Sequence, residues 1–212
     1  MGFEIGPIRP PSEVYSLLLR VTRNCPWNKC KFCRLYKKHS FSTRSIEEIR
    51  ADIDQIAQSR RDILNWTSGD ISNYDLIRVK LDDMPEEIAQ TYRFILQWML
   101  AGEESVFLQD ANTMVLSYNK LREILLYLRE QLPQAKRVTS YGRVDSLVKF
   151  SDEQFAALKK AGLDRIHSGF ESGSDKVLEL INKGYTRTQE IEAGQKIKAA
   201  GLDWLAGNGG AL

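Results

Sequence analysis

The three cysteines of the chain, Cys25, Cys30 and Cys33, lie within nine residues. Their spacing, Cys-x4-Cys-x2-Cys, puts three thiols on one short loop, where they can converge on one metal centre. The stretch from residue 14 to residue 46 contains eight Lys or Arg residues and no Asp or Glu. This positive field favours the thiolate form of cysteine and offsets the charge of an anionic cluster. An odd number of closely spaced cysteines argues against the disulfide framework of a secreted domain.

Three interpretations of the cysteine loop stay open at this point. Three buried cysteines without a ligand would need apolar surroundings, whereas this loop contains Pro26 and several lysines. A zinc ion bound by the three thiolates and His39 has an acceptable ligand set, but the spacing matches no common zinc finger. An iron–sulfur cluster with three protein ligands would leave one iron open for a substrate or cofactor.

Short apolar runs alternate with amphipathic segments along most of the chain, which predicts an α/β fold. The runs that predict strands are VYSLLLRVT from residue 14, SVFLQ at 105–109, KRVTSY at 136–141, DRIHSGF from residue 164 and DWLA from residue 203. The segments that predict helices are 45–59, a stretch beginning near Pro85, 121–128, 151–162, 174–184 and a last stretch ending at Gly201. Two of them begin with the spacing of a capping box, Ser45 with Glu48 and Ser151 with Gln154. Single helices between successive strands predict parallel pairing with right-handed crossovers.

The cysteine loop occupies the connection between the first strand and its helix. About twenty residues, from Arg23 to Arg44, form this connection, whereas such loops usually have roughly 2–6 residues. Folds of this class carry their chemistry at the carboxyl ends of the strands, so we expect the cysteines there. Residues 60–84 lack a clean helical period and are predicted to be an insertion. We therefore expect an N-terminal lead over 1–13 and one core domain over 14–212.

The composition is that of an ordinary globular protein. Of the 212 residues, 42% are hydrophobic and 27% are charged, and the formal net charge is +2. These values fit one sizeable core, and the net charge does not by itself indicate nucleic acid as a partner, although it leaves that open. No apolar run approaches the roughly 20 residues of a membrane-spanning helix, and the first residues lack the apolar core of a signal peptide. We therefore expect a cytoplasmic protein with no membrane partner.

Several of these segments together resemble the radical S-adenosylmethionine (SAM) superfamily. The resemblance rests on the cysteine loop, on Phe32 just before its last cysteine, and on the later segments GFESGSD and KGYT. It covers residues 14 to 212 and is closest to uncharacterised iron–sulfur oxidoreductases and the coproporphyrinogen-oxidase-like branch. The commonest spacing in the superfamily is Cys-x3-Cys-x2-Cys, and this chain has one more residue in the first gap. The resemblance implies a partial (β/α)6 barrel; the sequence provides five strands, so we expect the barrel to be truncated after the fifth.

The resemblance also implies the cofactors. Cys25, Cys30 and Cys33 would hold a [4Fe–4S] cluster, and the amino and carboxylate groups of SAM would bind the fourth iron. One electron, from a flavodoxin- or ferredoxin-type donor, would cleave SAM to methionine and a 5′-deoxyadenosyl radical that attacks a substrate. The resemblance therefore implies a reaction of the oxidoreductase or lyase type on an unknown substrate.

Three further residues would contact SAM near the first two strands. Phe32 would lie beside the adenine, or would be a hydrophobic plug for the cluster. Asp110 and Asn112 follow the second long strand, where the family usually has Gly-Gly-Glu for the amino group of SAM. An acid and an amide can both accept a hydrogen bond from an ammonium group, although Asp110 could instead cap the following segment.

Three other candidates follow the fourth long strand. Glu171 and Ser172 stand where the family contacts the ribose and the amino-acid part of SAM. Ser172 could instead cap the helix from residue 174. Arg187 could pair with the SAM carboxylate, or could lie in solvent.

The remaining polar candidates carry less specific expectations. His167 lies within a strand, where a histidine usually satisfies a local hydrogen bond, and His39 is expected near solvent. Tyr141, Arg143 and Asp145 follow the third long strand and face the side expected to be active. A different class of function also stays open, because basic residues around a structural metal could serve an RNA- or protein-binding module without catalysis.

Overall fold

The computed structural model describes residues 3–207. Five parallel strands form one sheet. Their bounds are Leu17–Arg20 (β1), Ser105–Gln109 (β4), Arg137–Tyr141 (β5), Leu163–Gly169 (β6) and Asp203–Gly207 (β7), and a small antiparallel pair consists of Thr22–Arg23 (β2) and Ser42–Thr43 (β3). Strands that follow one another in the sequence are neighbours in the sheet, as in repeated βα units. The predicted α/β class with five parallel strands is confirmed.

Eight α-helices connect these strands within residues 3–207. They are Ile46–Trp66 (α1), Tyr74–Asp82 (α2), Glu86–Leu100 (α3), Tyr118–Gln131 (α4), Val144–Leu147 (α5), Asp152–Ala161 (α6), Asp175–Leu180 (α7) and Arg187–Ala199 (α8). None of these helices is both long and apolar enough to cross a membrane.

The two faces of the sheet differ in chemistry. Leu17, Val106 and Val138 are in register across the three adjacent strands β1, β4 and β5 and pack with the helices into the main hydrophobic core. Burial of each such side chain contributes roughly 1.5–3 kcal/mol to folding. The opposite, inner face carries Phe107 and His167, whose rings lie 6.0 Å apart in an edge contact. The inner face is therefore more polar, as expected for a surface that lines a site.

The N-terminal segment, residues 3–13, covers part of this inner face. Glu13 is completely buried and lies 3.1 Å from His167 Nε2 and 3.1 Å from Arg137 Nη2. Burial raises the pKa of Glu13, but the hydrogen bonds from His167 and Ser16 and the charge of Arg137 outweigh it, so the net pKa is lowered. The residues expected to form only a lead thus provide an acid that pairs with the predicted strand histidine.

The ends of the predicted helices are mostly set by caps. Ser45 and Glu48 form the expected capping box at the start of α1, and Gly162 closes α6 in the left-handed conformation with φ 110°. The predicted end of α1 at residue 59 is wrong, because the buried stripe continues from Ile56 to Ile63 and the helix ends at Trp66. The interval predicted as an insertion contains this last part of α1 and the whole of α2.

Candidate functional site

The site is built at the carboxyl edge of the sheet, around the cysteine loop. We define the cysteine loop as residues 24–41, between β2 and β3. Thr22 pairs with Thr43 across these two short strands, so the ends of the loop are held together. The loop lies against the segments that follow β4, β5 and α7. The cysteines are therefore at the edge that the sequence predicted.

Asp110 holds the base of the cysteine loop from the end of β4. It is completely buried and accepts hydrogen bonds from Arg20 Nη2 at 2.8 Å, from the Asn24 amide at 3.1 Å, and from the Tyr36 hydroxyl. Burial and the bond to Asp110 raise the pKa of Tyr36. Asp110 therefore joins both arms of the loop to the sheet, and its contact with SAM stays a prediction.

The N-terminal segment also reaches the base of the loop. The Glu4 carboxylate lies 2.8 Å from Arg20 Nη1, 2.7 Å from Arg23 Nη2 and 3.5 Å from Arg44 Nε. Burial raises the pKa of Glu4, but the hydrogen bond to Arg23 and the three positive charges give a net lowering. Sequence reasoning did not identify Glu4, because no local pattern marks an acid that pairs with residues so far along the chain.

All three cysteines are free thiols. Cys30 is buried, whereas Cys25 and Cys33 are partly exposed. The Asn28 amide donates to Cys25 Sγ at 3.4 Å, and Lys37 Nζ donates to the Cys30 carbonyl at 2.8 Å. The loop thus presents its sulfurs together with nearby hydrogen-bond donors.

The donor set of the loop fits the iron–sulfur interpretation. Three free thiols stand on one loop, and in a [4Fe–4S] cluster each would bind a different iron. His39, the fourth ligand of the zinc interpretation, is exposed on the loop. Among residues 3–207, no three His, Cys, Asp or Glu side chains are gathered closely enough to hold one metal ion.

The cysteine loop docks onto the turn 181–184 that follows α7. The Lys31 amide donates to the Ile181 carbonyl at 2.9 Å, and the Trp27 indole donates to the Asn182 carbonyl at 2.8 Å. Gly184 lies under Trp27 with φ 84°, and a Cβ there would be 2.4 Å from the Trp27 ring. Only glycine fits this position without displacing the ring. The KG pair of the KGYT segment is therefore part of the wall against which the cysteines lie.

Lys183 and Glu171 form an ion pair in this wall. Lys183 Nζ lies 2.6 Å from Glu171 Oε1 and 5.3 Å from the centre of the Phe32 ring. The Tyr185 hydroxyl donates to the Gly169 carbonyl, which fixes the turn to the end of β6. The structure thus brings two of the candidates, Glu171 and Phe32, to one place. Sequence reasoning missed Lys183, although the KGYT segment that contains it was part of the resemblance.

The other candidates take mainly structural positions. Asn112 is completely buried; its side-chain oxygen accepts from the Arg143 amide at 2.9 Å and its nitrogen donates to Ser146 at 2.8 Å. Ser172 Oγ accepts from the Ser174 amide at 3.2 Å in a turn before α7; the helix begins at Asp175 with Ser174 as its N-cap, so the prediction that Ser172 caps it is wrong. Arg187 is exposed at the start of α8. The contacts of these three residues with SAM stay predictions.

Comparison with known proteins identifies the family. The family model of the Radical SAM superfamily matches residues 19–207. An uncharacterized methyltransferase of Pyrococcus horikoshii is 32% identical over 111 residues, which is 52% of this chain and 23% of that protein.

Solved structures confirm the fold. The cobalamin-dependent SAM radical enzyme OxsB, with aqua-cobalamin bound, superposes with a TM-score of 0.55 and 20% identity over 90% of this chain and 23% of that one. The radical SAM methyltransferase TsrM from Kitasatospora setae, with cobalamin and a [4Fe–4S] cluster bound, gives a TM-score of 0.55 and 13% identity over 90% of this chain and 30% of that one. At these identities the likeness supports the fold alone.

The chain thus spans about a quarter of the length of the relatives that it matches. The five-stranded partial barrel expected from the resemblance is confirmed, while the coproporphyrinogen-oxidase-like branch stays a prediction. The cofactors expected from the resemblance, a [4Fe–4S] cluster and SAM, are those of the matched family. The family match covers most of the chain and includes the cysteine loop, so the chain belongs to the radical SAM superfamily.

Proposed function

We propose that this chain is the core of an enzyme in which a reduced [4Fe–4S] cluster cleaves SAM to methionine and a 5′-deoxyadenosyl radical that acts on a substrate of unknown identity. The observation that carries the proposal is the docking of the cysteine loop against the Lys183–Glu171 pair. Three free thiols and a buried pair of opposite charges lie side by side, which suits a cluster next to a zwitterionic ligand. Cys25, Cys30 and Cys33 would hold the cluster.

The charged wall would orient the cofactor. Lys183 offers an ammonium group to the SAM carboxylate, and its burial strengthens that interaction. Glu171 would accept hydrogen bonds from the ribose hydroxyls. Phe32 lies over Lys183 and would contact the adenine. Lys183 is a better candidate for the carboxylate than Arg187, because Arg187 is exposed.

A small acidic electron donor of the flavodoxin or ferredoxin type is the partner that we propose for the cysteine loop. The loop presents exposed cations around the partly exposed Cys25 and Cys33, namely Lys29, Lys31, Arg34, Lys37 and Lys38. Positive charges near the site of electron entry would attract an acidic donor and increase its rate of association. This attraction should weaken as salt is added.

The test is anaerobic reconstitution with iron and sulfide. The reconstituted protein should be brown, should contain about four irons per chain, and should release 5′-deoxyadenosine from SAM after reduction by dithionite. Changing any one of the three cysteines to Ala should abolish the colour and the product. The matched control is His39→Ala, which should leave the cluster in place. A colourless protein with stoichiometric zinc that His39→Ala loses would contradict the proposal.

Methyl transfer is a second candidate for the overall reaction. The observation that favours it is the name of the Pyrococcus horikoshii relative, an uncharacterized methyltransferase. SAM labelled on its methyl group, supplied with and without cobalamin, distinguishes the candidates. Label that appears on an added acceptor supports methyl transfer, whereas label found only in methionine supports the oxidoreductase or lyase type.

A binding module without catalysis remains the alternative to an enzyme. It predicts RNA or protein binding that falls steeply with salt, and no turnover of SAM. A reconstituted protein that holds a complete cluster, binds SAM and still releases no 5′-deoxyadenosine would favour this alternative.

A further inference from the structure

The guanidinium group of Arg143 contacts both sides of the site. Its Nη1 donates towards Cys30 Sγ at 3.9 Å, and its Nη2 donates to the Lys183 carbonyl at 2.8 Å. Its Nε donates to Asp145 Oδ1 at 2.9 Å. Because all three nitrogens are engaged, the orientation of the planar group is fixed. Arg143 thus connects a cysteine sulfur to the turn that contains Lys183.

Aromatic rings and a buried amide keep Arg143 in this place. Its guanidinium carbon lies 5.4 Å from the Trp27 ring and 5.6 Å from the Tyr185 ring, and its side chain is 9% exposed. The buried Asn112 accepts a hydrogen bond from its backbone amide. A positive charge shielded from water acts more strongly on its neighbours than a charge in solvent. The sulfur that faces this positive charge is that of Cys30, which is the buried cysteine of the three.

We propose that Arg143 is a positioning residue that donates a hydrogen bond to the Cys30 thiolate and thereby raises the reduction potential of the cluster. The inference rests on the proposed function, since it requires Cys30 to bind an iron. Hydrogen bonds to cluster sulfurs and the net charge of the surroundings are among the factors that set such potentials. A buried donor with a positive charge stabilises the extra electron of the reduced state. Arg143 would therefore make the cluster easier to reduce.

The sign of the effect separates this role from a structural one. Removing the donor should shift the potential to more negative values, because the reduced cluster loses a favourable interaction. Merely loosening the loop would admit water, which solvates the more highly charged reduced state and shifts the potential the other way.

The test is a redox titration of the reconstituted cluster, followed by electron paramagnetic resonance. Arg143→Met removes the charge and the donors, and Arg143→Lys keeps the charge but loses the three-way contact. Both variants should titrate at more negative potentials than the wild type, with the larger shift in Arg143→Met. The matched control is Arg61→Met, which removes an exposed charge on α1, outside the cysteine loop, and should leave the potential unchanged.

Each other outcome has a definite meaning. An unchanged or less negative potential in Arg143→Met overturns the inference. If that variant holds no cluster, Arg143→Lys decides; if neither variant holds one, Arg143 is a structural residue of the loop and the inference is again wrong. A wild-type protein that forms no [4Fe–4S] cluster would instead refute the proposed function.

Discussion

The ammonium nitrogen of Lys183 lies 2.6 Å from Glu171 Oε1, and the two side chains are only 9% and 12% exposed. A buried pair of this kind contributes little to net stability, because desolvation of the two charges opposes their attraction. It does, however, hold two opposite charges ready for a ligand that carries both. Cofactor binding is therefore where its contribution should be measured.

Lys183→Met should weaken SAM binding by about tenfold or more, equivalent to about 1.4 kcal/mol. Loss of the ammonium removes both the partner proposed for the SAM carboxylate and the cation that pairs with Glu171. Isothermal titration of SAM into the reconstituted protein gives the affinity. The control is Lys176→Met, which removes an exposed lysine of α7. Equal affinities in the two variants would remove Lys183 from the cofactor site.

Gly184→Ala should disturb the cysteine loop more than Gly201→Ala does. Both glycines have left-handed backbones, with φ 84° and 70°, so each substitution costs about 1 kcal/mol in backbone strain. A Cβ at residue 184 would also collide with Trp27, whereas at residue 201 no atom lies within 4 Å. The collision should cost roughly 1–3 kcal/mol more. Thermal unfolding and the iron content after reconstitution are the measurements; iron content should fall only in Gly184→Ala.

Glu13→Gln should destabilise the protein at neutral pH by about 1.5–3 kcal/mol, the usual range for hydrogen bonds to a charged group. The pKa of Glu13 is lowered on folding from its ordinary value of 4.5. Its contribution is therefore present above pH 4.5 and is lost as the pH falls through the lowered pKa. Urea unfolding at a series of pH values should show wild type and variant converging in acid. Glu130→Gln, an exposed change on α4, should show no such convergence.

Glu190→Gln should have the opposite effect on stability. Burial raises the pKa of Glu190 from 4.5 to about 6, and its buried Oε1 has no hydrogen-bond partner among residues 3–207. The folded state therefore holds a proton more tightly than the unfolded state, and the ionised side chain destabilises the fold as the pH rises from about 4.5 to 6. Above pH 6 the variant should be more stable than the wild type by up to about 2 kcal/mol. The control is the exposed change Glu179→Gln. If both variants and the wild type have the same free energy of unfolding at pH 7.5, ionised Glu190 does not destabilise the fold and the prediction is wrong.

Local patterns predicted the framework of the fold well. The run SVFLQ forms β4 with the predicted bounds, and the capping boxes at Ser45 and Ser151 start α1 and α6 as predicted. These signals are reliable because the hydrophobic period and the cap are properties of neighbouring residues. The predicted end of α1 is too early because mostly polar residues separate Ile56 from Ile63. The apolar period is therefore not evident in the sequence, although the buried stripe continues for about two more turns.

The contacts that build the site could not be read from neighbouring residues. Cys25, Cys30 and Cys33 stand out by spacing alone, but the pairing of Glu4 with three arginines and of Glu13 with His167 depends on the tertiary fold. Lys183 lies in a segment rich in charged and polar residues, where the sequence alone does not distinguish a buried lysine from a solvated one. Burial and partners, which decide the role of a charged side chain, appear only when distant segments meet.

The cysteine loop receives its neighbours late in the synthesis of the chain. The hydrogen bond from Asn24 to Asp110 spans 86 positions, and that from Trp27 to Asn182 spans 155. At translation rates of about 5–20 residues per second, the cysteines are synthesised roughly 8–30 seconds before the turn on which their loop packs. During this interval they are open to oxidants and to competing metals. Only after the turn has been made and packed against the loop can Cys30 reach the buried position that it has in the folded protein.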